Sequence, residues 1–344
     1  MFVPVLLFIV GLILLIKGGD WFVDGATGIA HRFHVPDILI GATVVSIGTT
    51  LPEVMVSATS AMQGHGEIAY GNAIGSIICN TALIAGLSIA IRPSKVDRNT
   101  LKLPVTFFFI AAAIYTLTAY TSGEFSRGMG IILLLLFVLY MAVTIRQMSA
   151  PANTQPSGIS ESHSTAVSAD GQPESAVLTA QSASEETTSS TVKDIVLLVV
   201  GAVLIAIGAD LLVDNGTLIA EGLGVPESVI ALTFVALGTS LPELVTAITS
   251  LVKGHSALSL GNIIGANLFN LVLVSGISST LSPFHIPESK TIAGMNASLV
   301  VDLPLMLFVM MFLTLPALKS EKLTRTQGIV LLIIYAAFCI FQFI

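Results

Sequence analysis

The chain has 344 residues, of which 54% are hydrophobic and only 10% charged, with 14 Lys+Arg against 21 Asp+Glu and a formal net charge of −7. A soluble globular protein carries about 25% charged residues, so this chain cannot cover a water-facing surface of its own size. The acidic balance argues against a nucleic-acid binder, and what remains is a domain whose outer solvent is lipid.

In chain order, apolar runs start at about Phe2, Pro36, Ile68, Leu103 and Met129, and again at about Ile195, Glu227, Leu258, Met295 and Gln327. A helical span needs about 20 apolar residues, which predicts an all-α membrane protein of ten transmembrane helices. The first run lacks a basic leader and a small-residue cleavage site, so it reads as a retained span. Residues 1–148 form the first five-span unit and residues 193–344 the second. Residues 149–192 between them are Ser-, Thr- and Ala-rich, poor in large apolar groups and mildly acidic. Such a stretch cannot bury enough surface to offset its ordering entropy and is expected to be a disordered linker. Its acids (Glu161, Asp170, Glu174, Glu185, Glu186) are scattered and match no cation-binding loop. Cys79 and Cys339 both lie in apolar runs, where inert buried thiols are expected and no disulfide framework.

Lys and Arg fall unevenly over the connections. One side receives Arg32, Arg92, Lys95, Arg98, Lys102, Arg146, Lys193, Lys253, Lys319, Lys322 and Arg325; the other receives Arg127 and Lys290. Lys17, near a span end, favours neither side. The bias puts the rich side in the cytoplasm, with the linker there and both termini outside. The expected location is a cell (inner) membrane.

The chain also repeats itself. Shifted by 190 positions, Gly11–Asn80 aligns with Gly201–Asn270 without a gap, and 28 of the 70 positions are identical. GDWFVDGATGIA falls on ADLLVDNGTLIA, IGTTLPE on LGTSLPE, and GNAIGSIICN on GNIIGANLFN. Apolar helices resembling each other by chance would share Leu, Ile and Val. Here the shared residues are Gly, Pro, Asn, Thr, Asp and Glu. Five spans per unit is an odd number, so the second unit must enter the membrane from the opposite side. That makes the units inverted repeats, an arrangement that builds one site at mid-bilayer and permits alternating access.

The repeated motifs carry the chemistry. Glu53 and Glu243 lie at membrane depth, where a charge is costly and marks a functional site. Pro52 and Pro242 lack an N–H and crowd the carbonyl four residues back, which opens the helix near Gly48 and Gly238, with the carbonyls of Ser46 and Ala236 one step further. Thr49 and Thr239 stand four residues before the glutamates, on the same helix face. Asn72, Ser76 and Asn80 recur every four residues, as do Asn262, Ala266 and Asn270 with Asn267 alongside, while Gly71 and Gly75 are expected to let another helix approach closely. An all-oxygen cage of this kind suits a hard cation such as Ca²⁺, and the absence of His or Cys from it argues against Zn²⁺ or Cu⁺. His65 and His255 are expected in polar connections. Asp20, Asp24, Asp210 and Asp214 are expected as solvated caps or structural pairs, with Lys17 a candidate partner.

These motif pairs resemble the two α-repeats of the Ca²⁺/cation antiporter superfamily, the sodium/calcium exchangers, and most closely its compact prokaryotic members. The resemblance covers the whole chain outside the linker. It implies ten helices in two inverted halves and exchange of Ca²⁺ for Na⁺, with H⁺/Ca²⁺ exchange or K⁺-linked exchange as alternatives and a cation channel as a weaker one. By resemblance, Glu53 and Glu243 are the acidic Ca²⁺ ligands, Thr49 and Thr239 contribute backbone or hydroxyl oxygen, and Thr50 and Ser240 are the adjoining hydroxyl positions. Ser76 and Asn80 match polar ligands of the first half, and the carbonyls of Ser46 and Ala236 match Na⁺ contacts. Asn270 stands where some members carry Asp, and Ala266 where a Ser would serve one Na⁺ site. The expected partners are Ca²⁺, a monovalent counter-ion and the lipid bilayer, with no nucleic acid, no obligatory protein partner and no cofactor. No phosphate-binding GxxxxGK[ST] loop is present, in keeping with a carrier driven by an ion gradient and not an enzyme.

Overall fold

The computed structural model describes residues 2–33, 35–149, 180–222, 238–287, 291–292 and 294–343. Helix α1 is Phe2–Arg32, α2 Asp37–Met62, α3 Gly66–Ile91, α4 Arg98–Thr121 and α5 Arg127–Ser149. The second half contains α6 Ala180–Gly222, α7 Leu241–Val252, α8 Ser256–Leu281, α9 Ser298–Ser320 and α10 Arg325–Phe343. Among the described residues nine of these helices are long and apolar enough to cross a membrane, and α7 is a shorter apolar helix. The residues before it, 223–237, with Ala236 among them, lie outside the described residues.

Helix α6 begins inside the segment expected to be a linker. No Gly or Pro occurs from Ala180 to Val200, so nothing stops the span's helix from extending back towards Ala180. The rest of that segment, residues 150–179, lies outside the described residues.

Helices α1 and α6 pack on glycines. A Cβ on Gly201 would lie 2.8 Å from the Gly18 carbonyl oxygen, and one on Gly208 would lie 2.8 Å from that of Gly11. Contacts at 11–208 and 18–201 mean that the two helices run antiparallel, and the 190-residue shift exchanges one contact for the other. Small residues of this kind are what allow backbones to touch where no hydrophobic force separates helix from lipid.

Helix α8 is the centre of the bundle, with 89% of its apolar window buried, against 22% for α1 and 17% for α10. A Cβ on Gly261 would lie 2.2 Å from the Ile38 carbonyl oxygen, and one on Gly265 would lie 2.6 Å from the Ala42 Cα. Among the described residues nothing lies within 4 Å of a Cβ on Gly71 or Gly75; the positions that the 190-residue shift sets opposite them, 228 and 232, lie outside the described residues.

The connections gather on two opposite faces. On one, Arg32 meets Asp194 at 3.0 Å and His255 meets Asp37 at 3.1 Å. Lys95 pairs with Lys322 in an antiparallel bridge on the same face. On the other, β1 (Glu124–Phe125) pairs with β2 (Phe284–His285), over a buried cluster containing Tyr70, Tyr115, Phe125 and Phe284. Lys253, and not Lys17, is the cation found at Asp20 and Asp24, at 3.5 and 2.8 Å.

Candidate cation site

Helix α2 contains a wide π-helical turn over Gly41–Val45, and the Ser46 hydroxyl donates to the Gly41 carbonyl at 2.6 Å and to the Asn262 carbonyl of α8 at 3.0 Å. The helix then runs unbroken through Pro52, so the opening expected at the proline lies earlier in the first copy. In the second copy the chain does open near the motif: Thr239 and Ser240 form a turn, and α7 starts at Leu241 with Pro242 in its first turn. Further wide turns occur at Cys79–Ala85 and Asn270–Val274, and the 190-residue shift sets residues 80–84 of the first on the whole of the second. Each contains a motif asparagine, Asn80 or Asn270.

Four elements, α2, α3, α8 and the turn into α7, bring the two motif copies together at the core. Glu53, Glu243, Thr50, Asn80 and Asn270 are wholly buried, and Ser46, Thr49, Ser76 and Ser240 nearly so. The two carboxylates lie within electrostatic reach of each other, with the Thr49 and Thr50 hydroxyls alongside Glu243. Two of the hydrogen bonds between the halves join motif side chains: Thr49 Oγ1 donates to Asn262 Oδ1 and Thr239 Oγ1 donates to Asn72 Oδ1, each at 3.2 Å. The repeat exchanges one bond for the other. Asn72 also donates to the Ser57 hydroxyl at 2.8 Å and to the Glu53 carbonyl at 3.2 Å. Asn72 and Asn262, read from the sequence as added cage oxygens, are therefore committed to orienting the threonines.

Several further polar atoms are left over in matched pairs. Among the described residues, both carboxylate oxygens of Glu53 and of Glu243, the hydroxyls of Thr50 and Ser240, and the amides of Asn80 and Asn270 are buried without a hydrogen-bond partner. Leaving such groups unmet costs about 1–3 kcal/mol each, and more for a charged group. A buried cluster of orphaned oxygens has the chemistry to hold a cation, and those oxygens number eight where Ca²⁺ takes six to eight. Among the described residues no group of three or more His, Cys, Asp or Glu side chains could hold a metal ion. Two carboxylates and four neutral side chains make up the orphaned set.

Sequence reasoning missed three buried hydroxyls leading away from the glutamate of the second half. Thr246, Ser250 and Ser259 are buried and unpartnered. Their signal was present in the i+3 and i+7 spacing of Thr246 and Ser250 from Glu243.

Comparison with known proteins follows the same boundaries. The family model described as sodium/calcium exchanger protein matches residues 3–146 and 193–344, leaving out the segment between the repeats. The inner membrane protein YrbG of Escherichia coli is 33% identical over 280 residues, covering 81% of this chain and 80% of its own length. The sodium/calcium exchanger MaX1 of Methanosarcina acetivorans is 28% identical over 360 residues, 98% of each chain. A solved structure of the sodium-calcium exchanger NCX_Mj superposes with a TM-score of 0.75 at 33% identity, covering 98% of this chain and 97% of the other. A duplicated core motif, a matching multi-pass membrane fold and a family match over both repeats agree: the chain belongs to the sodium/calcium exchanger protein family.

Proposed function

We propose that the chain is a secondary antiporter that moves Ca²⁺ against Na⁺ by alternating access. Glu53 and Glu243 supply a charge near −2, which one Ca²⁺ neutralises or several Na⁺ neutralise in its place. The ligand sets overlap, so one cargo excludes the other, and exclusive occupancy couples the two fluxes. Thr50, Ser240, Asn80 and Asn270 complete the shell with neutral oxygens. Thr49 and Thr239 orient it, and Ser46, Ser76 and the Ala236 carbonyl extend it for the monovalent ion. The observation carrying this reading is the set of matched, buried and unpartnered oxygens contributed equally by the two halves.

The halves act as inverted repeats. The antiparallel contact of α1 with α6 and the exchanged threonine–asparagine bonds support that symmetry, which offers two equivalent packings, one open to each side. The face bearing Arg32, Arg92, Lys95, Lys253 and Lys322 is cytoplasmic by its basic excess, which places the linker there and both termini outside, in a cell (inner) membrane.

The test is reconstitution into vesicles. An imposed Na⁺ gradient drives ⁴⁵Ca²⁺ movement in the native chain, and Glu53→Gln or Glu243→Gln abolishes it. Unchanged flux in either variant would reject the assignment of the glutamates. Movement driven by a pH jump and not by Na⁺ would reassign the counter-ion to H⁺.

A further inference from the structure

Beyond the cage, α7 carries a polar stripe that the site does not use. Thr246 and Ser250 follow Glu243 by three and seven residues, so all three share one helix face, and all are fully buried. Ser259 of α8 is 2% exposed. Among the described residues none of the three hydroxyls has a hydrogen-bond partner. Ser and Thr in a helix ordinarily satisfy themselves on the carbonyl one turn back, and a dry orphaned hydroxyl costs about 1–3 kcal/mol. Three in succession are tolerated where water or an ion passes.

The stripe leads to the basic face. A cavity of about 20 Å³ there is lined by Ser88, Arg92, Leu251, Ser256 and Ser259, among others, and room of that size admits a single water. At its rim, Arg92 Nη1 donates to the Leu251 carbonyl oxygen at 3.1 Å, one residue beyond Ser250. A fixed positive charge at the mouth of a path leading to a carboxylate repels cations while it stays docked. The repeat does not reproduce this arrangement. The positions matching Thr246, Ser259 and Arg92 are Val56, Ala69 and Ser282, so the device belongs to one face only.

We propose that Thr246, Ser250 and Ser259 line the hydrated route by which the exchanged cations reach Glu243 from the Arg92 face, and that Arg92, docked on the Leu251 carbonyl, closes its mouth. The proposal rests on the cation-exchange reading of the Glu53–Glu243 site.

Sided thiol labelling tests it. Ser250→Cys and Ser259→Cys are near-isosteric changes, made separately and checked for retained Na⁺-driven Ca²⁺ flux; if one fails to exchange, the other carries the test. Membrane-impermeant methanethiosulfonates, one cationic and one anionic, are applied to either face of oriented vesicles, with the native chain reporting the background from Cys79 and Cys339. The expected result is labelling from the Arg92 face alone, slowed by saturating Ca²⁺. Adding Arg92→Gln should speed the cationic reagent about 10-fold relative to the anionic one, the size of a local steering effect. Labelling from the opposite face, labelling no faster than background in an exchanging variant, or an equal effect of Arg92→Gln on both reagents would overturn the proposal. If the native chain shows no Na⁺- or H⁺-driven Ca²⁺ flux, it is the exchange reading that fails, independently of where the thiols react.

Discussion

Thr49 and Thr239 perform one task from opposite halves. Each hydroxyl donates across the molecular centre to an asparagine of the other repeat, Asn262 or Asn72, at 3.2 Å, and so fixes where its own oxygen lone pairs face. A buried hydrogen bond contributes about 1 kcal/mol net, or about fivefold in a binding constant. Thr49→Val and Thr239→Val are therefore each expected to raise the half-saturating Ca²⁺ concentration about fivefold in vesicle flux, while the Ser variants stay near native. A large effect from one alone would contradict equivalent roles. The glutamates and their hydroxyl neighbours were legible in the chain because a carboxylate at membrane depth, repeated with its proline, has no packing explanation. The duty of Asn72 and Asn262 was not, since an amide's partner across the halves depends on helix register and not on spacing within one helix.

At the level of elements, one glycine sets how closely two helices approach: Gly261 lets α8 touch the backbone of α2. Gly261→Ala forces those helices apart and should cost about 1–3 kcal/mol, as overpacking does, lowering the melting temperature in detergent and the flux with it. A melt equal to the native chain's would show that the α2–α8 contact does not stabilise the fold. The nine long apolar helices and the shorter one found among the described residues were readable from hydropathy, and the connections at Gly64 and Gly254, both at positive φ, from the repeated GlyHis pair. That α2 is the element against Gly261 was not readable, because spacing within one helix does not name the helix opposite.

The whole molecule is two similar halves locked together at a shared polar centre, with a tether between them that the family match leaves out. Since each doubling of a loop's length costs only about 0.6 kcal/mol, halving residues 150–179 should leave the Na⁺-driven Ca²⁺ flux unchanged, and a lost flux would mean the segment takes part in exchange. The apolar runs and the duplicated motifs made a multi-pass helical membrane fold legible in the chain. The one-sided features, Lys253 held at Asp20 and Asp24 and Arg92 on the Leu251 carbonyl, stayed hidden because each joins residues more than 150 positions apart. The central claim is that one divalent ion sits between the glutamates of the two halves. Long-wavelength anomalous diffraction from crystals grown in Ca²⁺ tests it most directly. The account predicts a calcium peak within about 2.6 Å of carboxylate oxygens from both Glu53 and Glu243; a peak bound by one of them alone, or by neither, would contradict it.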